Sequence, residues 1–202
     1  MITIVNYGLG NVKAFENIYR RLGMPVSVAS STAGLTEATK LILPGVGAFD
    51  WAMKKLGDSG MQEKLDQLVS GERIPVLGVC VGMQMLANSS EEGRLDGLGW
   101  IDAEVRKIES ESEELNLPHM GWNDLKVCRD TPLLSRLPED PEFYFLHSYH
   151  FLPQAQEDIV ATSLYGTDIV AVVQSGNVFG TQFHPEKSHA WGVQILKNFG
   201  EL

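Results

Sequence analysis

The chain has 202 residues, 44% hydrophobic and 21% charged, which excludes a disordered protein and fits a single domain over residues 1–202. With 16 Lys and Arg against 26 Asp and Glu the net charge is −10, a surface that repels phosphate backbones and argues against a nucleic-acid partner. Two cysteines, Cys80 and Cys128, make no disulfide framework, the start carries no basic leader, and no stretch reaches the ~18 apolar residues of a membrane span, so a reducing cytoplasm without membrane attachment is expected.

Short apolar runs alternate with helical spacing through the first half, the pattern of βα units on a mostly parallel sheet. Ile2–Val5 reads as a buried strand. After Gly8-Leu9-Gly10, residues Val12, Phe15, Tyr19 and Leu22 fall three or four apart and Gly23 follows in a C-cap position, which predicts a helix over 11–22. Strands are expected over 25–29 and 41–43, the second running into Pro44-Gly45-Val46-Gly47. Helical spacing returns over 48–56 and 62–69. Pro75-Val76-Leu77-Gly78-Val79 has the apolar composition of a central parallel strand and leads directly into Cys80. From Gly97 onward β-prone runs dominate, at 100–105, 143–146, 159–162, 169–174 and 178–183, with a hairpin turn at Gln174-Ser175-Gly176-Asn177. Trp191, Ile195 and Phe199 mark one face of a closing helix over 188–202, and the charge-dense run 109–114 is expected to be a solvated loop. The fold class is therefore α/β: an open, mostly parallel central sheet flanked by helices, with additional antiparallel strands in the second half.

Gly78-Val79-Cys80-Val81-Gly82 has the form of a nucleophile elbow with cysteine at its apex. A side chain projected from a tight strand-to-helix turn needs neighbours without Cβ two positions to either side, and Gly78 and Gly82 meet that need. A helix over 81–87 would point its first N–H groups at the sulfur and favour the thiolate. Such a nucleophile needs a base and a group that orients the base. His184 ends an apolar run, and on extended chain Glu186 shares its face, so the two read as base and orienter. Cys128 lacks any such frame. An oxyanion site is expected at Pro44-Gly45-Val46-Gly47, whose glycines let a backbone N–H turn toward the substrate, with the N–H of Val81 as second donor. No metal and no cofactor is predicted: His147 and His150 have no ligand set around them, and Tyr7-Gly8-Leu9-Gly10-Asn11 lacks the third glycine of the dinucleotide fingerprint.

These residues resemble the class I (triad) glutamine amidotransferases, in which an elbow cysteine and a later His-Pro-Glu carry glutamine hydrolysis. The likeness narrows to the glutaminase subunits of imidazole glycerol phosphate synthase, HisH. It rests on Tyr7-Gly8-Leu9-Gly10-Asn11, Pro44-Gly45-Val46-Gly47, Gly78-Val79-Cys80-Val81-Gly82-Met83-Gln84, Pro118-His119-Met120-Gly121-Trp122-Asn123 and His184-Pro185-Glu186-Lys187-Ser188, and it runs from end to end.

The resemblance implies a flavodoxin-like fold in which Cys80 forms a γ-glutamyl thioester, His184 moves the proton and Glu186 holds His184. It places Gln84 on the amino acid head of glutamine and the main chain of His147-Ser148-Tyr149 along the same pocket. Val46 and Val81 would supply the oxyanion N–H groups, between Gly45 and Gly47 and beside Cys80, with a peptide flip near Val46 as the switch. The implied partner is a (β/α)8-barrel cyclase, HisF, paired as a heterodimer and receiving ammonia through its barrel, with Asn11, His119, Met120, Trp122, Tyr149 and Lys187 at the interface. The pair would make imidazole glycerol phosphate and aminoimidazole carboxamide ribotide in histidine biosynthesis. The same glutaminase could instead serve an amidating partner in bacterial surface-polysaccharide (acetamidino sugar) biosynthesis, since the ammonia acceptor is on another chain. Departures from the family pattern are Val81, where Leu is frequent, and Asn6, where many members carry Asp.

Overall fold

The computed structural model describes residues 1–109 and 116–202, so most of the acidic run expected as a solvated loop lies outside the described residues. In chain order come β1 (Ile2–Val5), α1 (Val12–Arg21), β2 (Val26–Ala29), β3 (Lys40–Gly45), α2 (Phe49–Asp58), α3 (Gln62–Asp66), β4 (Val76–Cys80) and α4 (Val81–Gln84). The second half supplies β5 (Ser89–Ser90), β6 (Ala103–Lys107), β7 (His119–Asn123), β8 (Lys126–Val127), β9 (Phe143–His147), β10 (Tyr149–Pro153), β11 (Ile159–Tyr165), β12 (Thr167–Ser175), β13 (Val178–Thr181) and α5 (His189–Glu201).

Among the described residues, eight strands form one sheet in the order β2-β1-β3-β4-β13-β12-β11-β8. The first five are mutually parallel and the last three run antiparallel, the mixed sheet that the change of texture after Gly97 predicts. Every residue of β4 is buried, as a central strand covered on both faces requires. The chain steps outward from β1 to β2 in one direction and from β3 to β4 in the other, so right-handed crossovers put α1 and α2 on opposite faces. On the α1 face Tyr19 donates from its hydroxyl to the Leu196 carbonyl of α5 at 3.0 Å, tying first helix to last. One hydrophobic cluster runs from Ile2 to Phe199. Among the described residues no helix is long and apolar enough to cross a membrane.

Two smaller pieces sit beside the main sheet: β10-β6-β5, and the antiparallel ribbon β7-β9. Neither β7 nor β10 is legible as a strand in the sequence. The strand expected over 100–105 begins only at Ala103, and the 62–69 helix ends as a π-turn over Gln67–Gly71. The helix expected over 81–87 is a single turn. Past Met85 the bonding tightens: Leu86 and Ala87 donate their N–H groups three residues back, to the carbonyls of Met83 and Gln84 at 3.0 and 3.1 Å, while the carbonyls of Met85, Leu86 and Ala87 receive the N–H groups of Leu98, Ile101 and Gly99 at 2.8 to 3.0 Å. The α-helical ladder therefore gives way to a tighter turn after Gln84, and the dipole aimed at the sulfur is that of one turn.

Candidate active site

The carboxyl ends of β3, β4 and β13, three neighbouring strands, converge on one cavity of about 320 Å³. In register, Gly45 of β3 lies beside Cys80 of β4. Cys80 has φ +55° and ψ −114°, a strained backbone for a residue with a Cβ, and it lifts the thiol off the strand axis. The flanking glycines make so tight a turn possible. A Cβ on Gly82 would lie 1.9 Å from the Leu43 carbonyl oxygen, and one on Gly78 2.6 Å from the Gly82 carbonyl oxygen. Gly45 itself packs against the Gly82 backbone, so it lets β3 approach the elbow and does not line the cavity.

Cys80 is buried yet lines the cavity. Its Sγ lies 3.9 Å from the Leu146 carbonyl and 3.9 Å from Gln182 Nε2, which donates to it. Across the cavity floor, His184 Nδ1 is 2.9 Å from Glu186 Oε1, with side chains only 4% and 2% exposed. This contact arises by a different route from the extended chain that the sequence suggests: Pro185–Lys187 form a 3₁₀ turn that swings Glu186 back under the ring. The His184 backbone is fixed by its N–H to the Tyr144 carbonyl at 2.9 Å and by the Ser188 hydroxyl on its own carbonyl at 2.6 Å. Burial opposes a charged His184, but hydrogen bonding and charge from Cys80 and Glu186 outweigh it and hold the imidazole above the ordinary histidine range. With Nδ1 on Glu186, Nε2 is the nitrogen left to exchange a proton with the sulfur.

Residues 3–201 match the family of class-I glutamine amidotransferases. The chain belongs to that family. It is 52% identical to an imidazole glycerol phosphate synthase subunit HisH of Bdellovibrio bacteriovorus and 47% identical to one of Leptospira interrogans, each over the whole of both chains. A subunit HisH 2 of Pseudomonas aeruginosa is 45% identical, also over the whole of both. Among solved structures, a glutamine amidotransferase superimposes with a TM-score of 0.74 at 19% identity, covering 98% of each chain. PurLQS from Thermotoga maritima gives 0.74 at 18%, covering 98% of this chain and 96% of that one. These last two are likenesses of fold.

The remaining expected residues of this amidotransferase fall into three groups. Val46, Gly47, Val81, Gln84, His147, Ser148, Tyr149 and His184 all line the cavity with Cys80. Gln84 donates both amide hydrogens, to the Tyr149 carbonyl at 3.0 Å and to Gln182 Oε1 at 3.1 Å, which leaves its oxygen as an acceptor. The strand leading to Val46 is anchored by the Tyr7 hydroxyl, which donates to the Pro44 carbonyl at 2.7 Å. On the outer face, Asn11, Met120, Trp122 and Lys187 are exposed, Met120 by 64% and Trp122 by 43%. Trp122 stacks on His189 at 4.9 Å between ring centres, and Lys187 lies over the Tyr144 ring. His119 is different. It is only 3% exposed, its ring held between Phe145 and Tyr165, so its side chain offers a partner no surface.

Sequence reasoning missed Glu92, Leu146 and Gln182. Gln182 stands two residues before His184, a spacing that could have flagged it. Glu92 carries no motif: its carboxylate lines the cavity and accepts the Phe49 N–H at 2.9 Å, an arrangement only the tertiary fold creates.

Proposed function

We propose that residues 1–202 act as one domain that hydrolyses glutamine to glutamate and ammonia and passes the ammonia to a cyclase partner. The chain would be the glutaminase subunit of imidazole glycerol phosphate synthase, working in the cytoplasm in histidine biosynthesis. The observation that carries the reading is the juxtaposition of Cys80, His184 and Glu186 at one cavity, in a chain whose relatives over full length are named HisH. Those names give the surface-polysaccharide alternative no support.

In this reading His184 Nε2 takes the Cys80 thiol proton, and the thiolate attacks the side-chain amide carbon of glutamine. The N–H groups of Val46 and Val81 receive the oxyanion. His184 then gives its proton to the amide nitrogen, the C–N bond breaks, and ammonia leaves a γ-glutamyl thioester on Cys80. A water, losing a proton to His184, attacks the thioester. Glutamate departs and the proton returns to the sulfur. Glu186 keeps the ring oriented through both halves. Gln84 Oε1 and the Glu92 carboxylate suit the α-ammonium of glutamine, because both accept hydrogen bonds and one is charged.

The partner is a (β/α)8-barrel cyclase, HisF. A docking face beside the cavity supports this. In the β7-β9 ribbon Met120 pairs with Leu146 and Trp122 with Tyr144, so one side of the ribbon shows an apolar surface, and Leu146 and Pro118 reach the cavity mouth. An exposed Trp and Met beside a pocket is the composition of an interface core. The test is glutamate release from glutamine by the purified chain mixed with the cyclase and its nucleotide ligand, with Cys80→Ala as blank. Strong stimulation is expected. A chain equally active with and without the cyclase would overturn the partner assignment.

A further inference from the structure

Three imidazoles outside the triad are buried, those of His119, His147 and His150, and in the first two every ring nitrogen has a partner. His119 and His147 face each other across the β7-β9 ribbon. His147 Nδ1 lies 2.8 Å from the Tyr149 carbonyl, His147 Nε2 lies 3.0 Å from His119 Nδ1, and His119 Nε2 lies 3.2 Å from Asn123 Nδ2. Donor and acceptor chemistry allows one arrangement of hydrogens. A carbonyl only accepts, so His147 Nδ1 carries its hydrogen; the neutral ring then accepts at Nε2, His119 donates from Nδ1, and His119 Nε2 accepts from the Asn123 amide. That amide is oriented by the Leu164 carbonyl, which it also serves at 3.0 Å. Burial depresses the basicity of His119 to about 4 and, despite the Tyr149 contact, that of His147 to about 3, so both rings are neutral at neutral pH.

The connection continues past Tyr149. Its carbonyl also accepts Gln84 Nε2, whose other hydrogen goes to Gln182 Oε1, and Gln182 Nε2 touches Cys80 Sγ. We propose that His119 and His147 are positioning residues for glutamine: they hold the Tyr149 carbonyl so that the Gln84 amide keeps its oxygen toward the cavity. This rests on the glutaminase reading and extends it. An amide turned by half a rotation would set Oε1 against two acceptor oxygens and show an NH2 to the substrate ammonium, so the carbonyl selects the orientation. The carbonyl in turn relies on the His147 N–H, and only a donor at His119 Nδ1 fixes that tautomer. His119 is thus four contacts from the substrate and decides how its head group is received.

His119→Phe keeps a flat ring between Phe145 and Tyr165 and removes both nitrogens, whereas His119→Asn restores a donor near the Nδ1 position. Cys80 alkylation is followed on its own peptide by mass spectrometry, with a diazoketone analogue of glutamine and with iodoacetamide, which has no amino acid head. For His119→Phe the half-saturating analogue concentration should rise about tenfold, the effect of one hydrogen bond, while the maximal rate and the iodoacetamide rate move less than twofold. His119→Asn should recover most of the loss. Should the Phe variant fail to fold, His119→Gln, whose amide reaches the Nε2 position instead, should show the same weakened saturation relative to His119→Asn. Equal slowing with both reagents, or an unchanged half-saturation, would overturn the proposal. A wild-type Cys80 that reacts with iodoacetamide but never saturates with the analogue would instead sink the glutaminase reading itself.

Discussion

Two glycines on helices should respond to alanine with opposite signs, and the difference measures the elbow. Gly82 lies in the single turn of α4, and an added Cβ would sit 1.9 Å from the Leu43 carbonyl oxygen and 3.2 Å from the Gly45 nitrogen. Neither atom can yield easily, because Leu43 and Gly45 belong to a central strand paired on both sides. Separating backbone from backbone by more than 1 Å belongs at the upper end of overpacking, about 3 kcal/mol, and the better helix propensity of alanine returns at most about 1 kcal/mol. The net loss of about 2 to 3 kcal/mol corresponds to a fall in Tm of roughly 4 to 12 °C for a chain of this size. Gly57, in α2, has nothing within 4 Å of its added Cβ. Gly57→Ala should therefore stabilise by up to about 1 kcal/mol and raise Tm by roughly 2 to 4 °C. Thermal unfolding of the two variants beside wild type, followed by circular dichroism, is the assay. A Gly82→Ala protein melting at or above wild type would show that β3 does not press on the elbow as described.

Replacing Glu186 by Gln puts an amide donor on His184 Nδ1, moves the ring hydrogen to Nε2 and removes the lone pair that faces Cys80; turnover should fall by about 10³ to 10⁴, as when other triads lose their orienting acid. Because His184 is raised above its unfolded value of ~6.5, the stability it draws from Cys80 and Glu186 is complete below that pH and disappears as pH rises through the folded value. The stability difference between wild type and Glu186→Gln, measured by urea unfolding, should be largest near pH 6 and shrink toward alkaline pH; a difference growing with pH contradicts the assignment. Tyr7→Phe removes the donor to the buried Pro44 carbonyl and should cost about 1 to 2 kcal/mol, read as a Tm lower by roughly 2 to 8 °C. Trp122→Ala should weaken cyclase binding about thirtyfold or more by calorimetry if this ring is an anchor of the apolar face, and an unaltered affinity would place the interface elsewhere.

The local chemistry was legible in the chain because its constraints are local. Gly78 and Gly82 flank Cys80 since a sharp turn admits no Cβ there, and Glu186 reaches His184 within three residues, so both signatures survive in linear order. The alternation of apolar strands and amphipathic helices likewise fixed a parallel half of the sheet, as each βα unit is written contiguously. What the sequence alone could not set was register between distant strands. His119 and His147 are 28 residues apart, and only the pairing of β7 with β9 turns them inward while Met120 and Trp122 turn outward. A shift of one residue would reverse all four. The same holds for Glu92, brought to the cavity, and Gln182, brought against Cys80, by loop and sheet packing, and for α4, whose single turn runs into tighter bonds to Met83 and Gln84 where residues 85–87 pair with residues 98–101. Residue type determines what a group can do. Its neighbours, supplied by chain segments far away in sequence, determine whether it faces a partner, a substrate or the core.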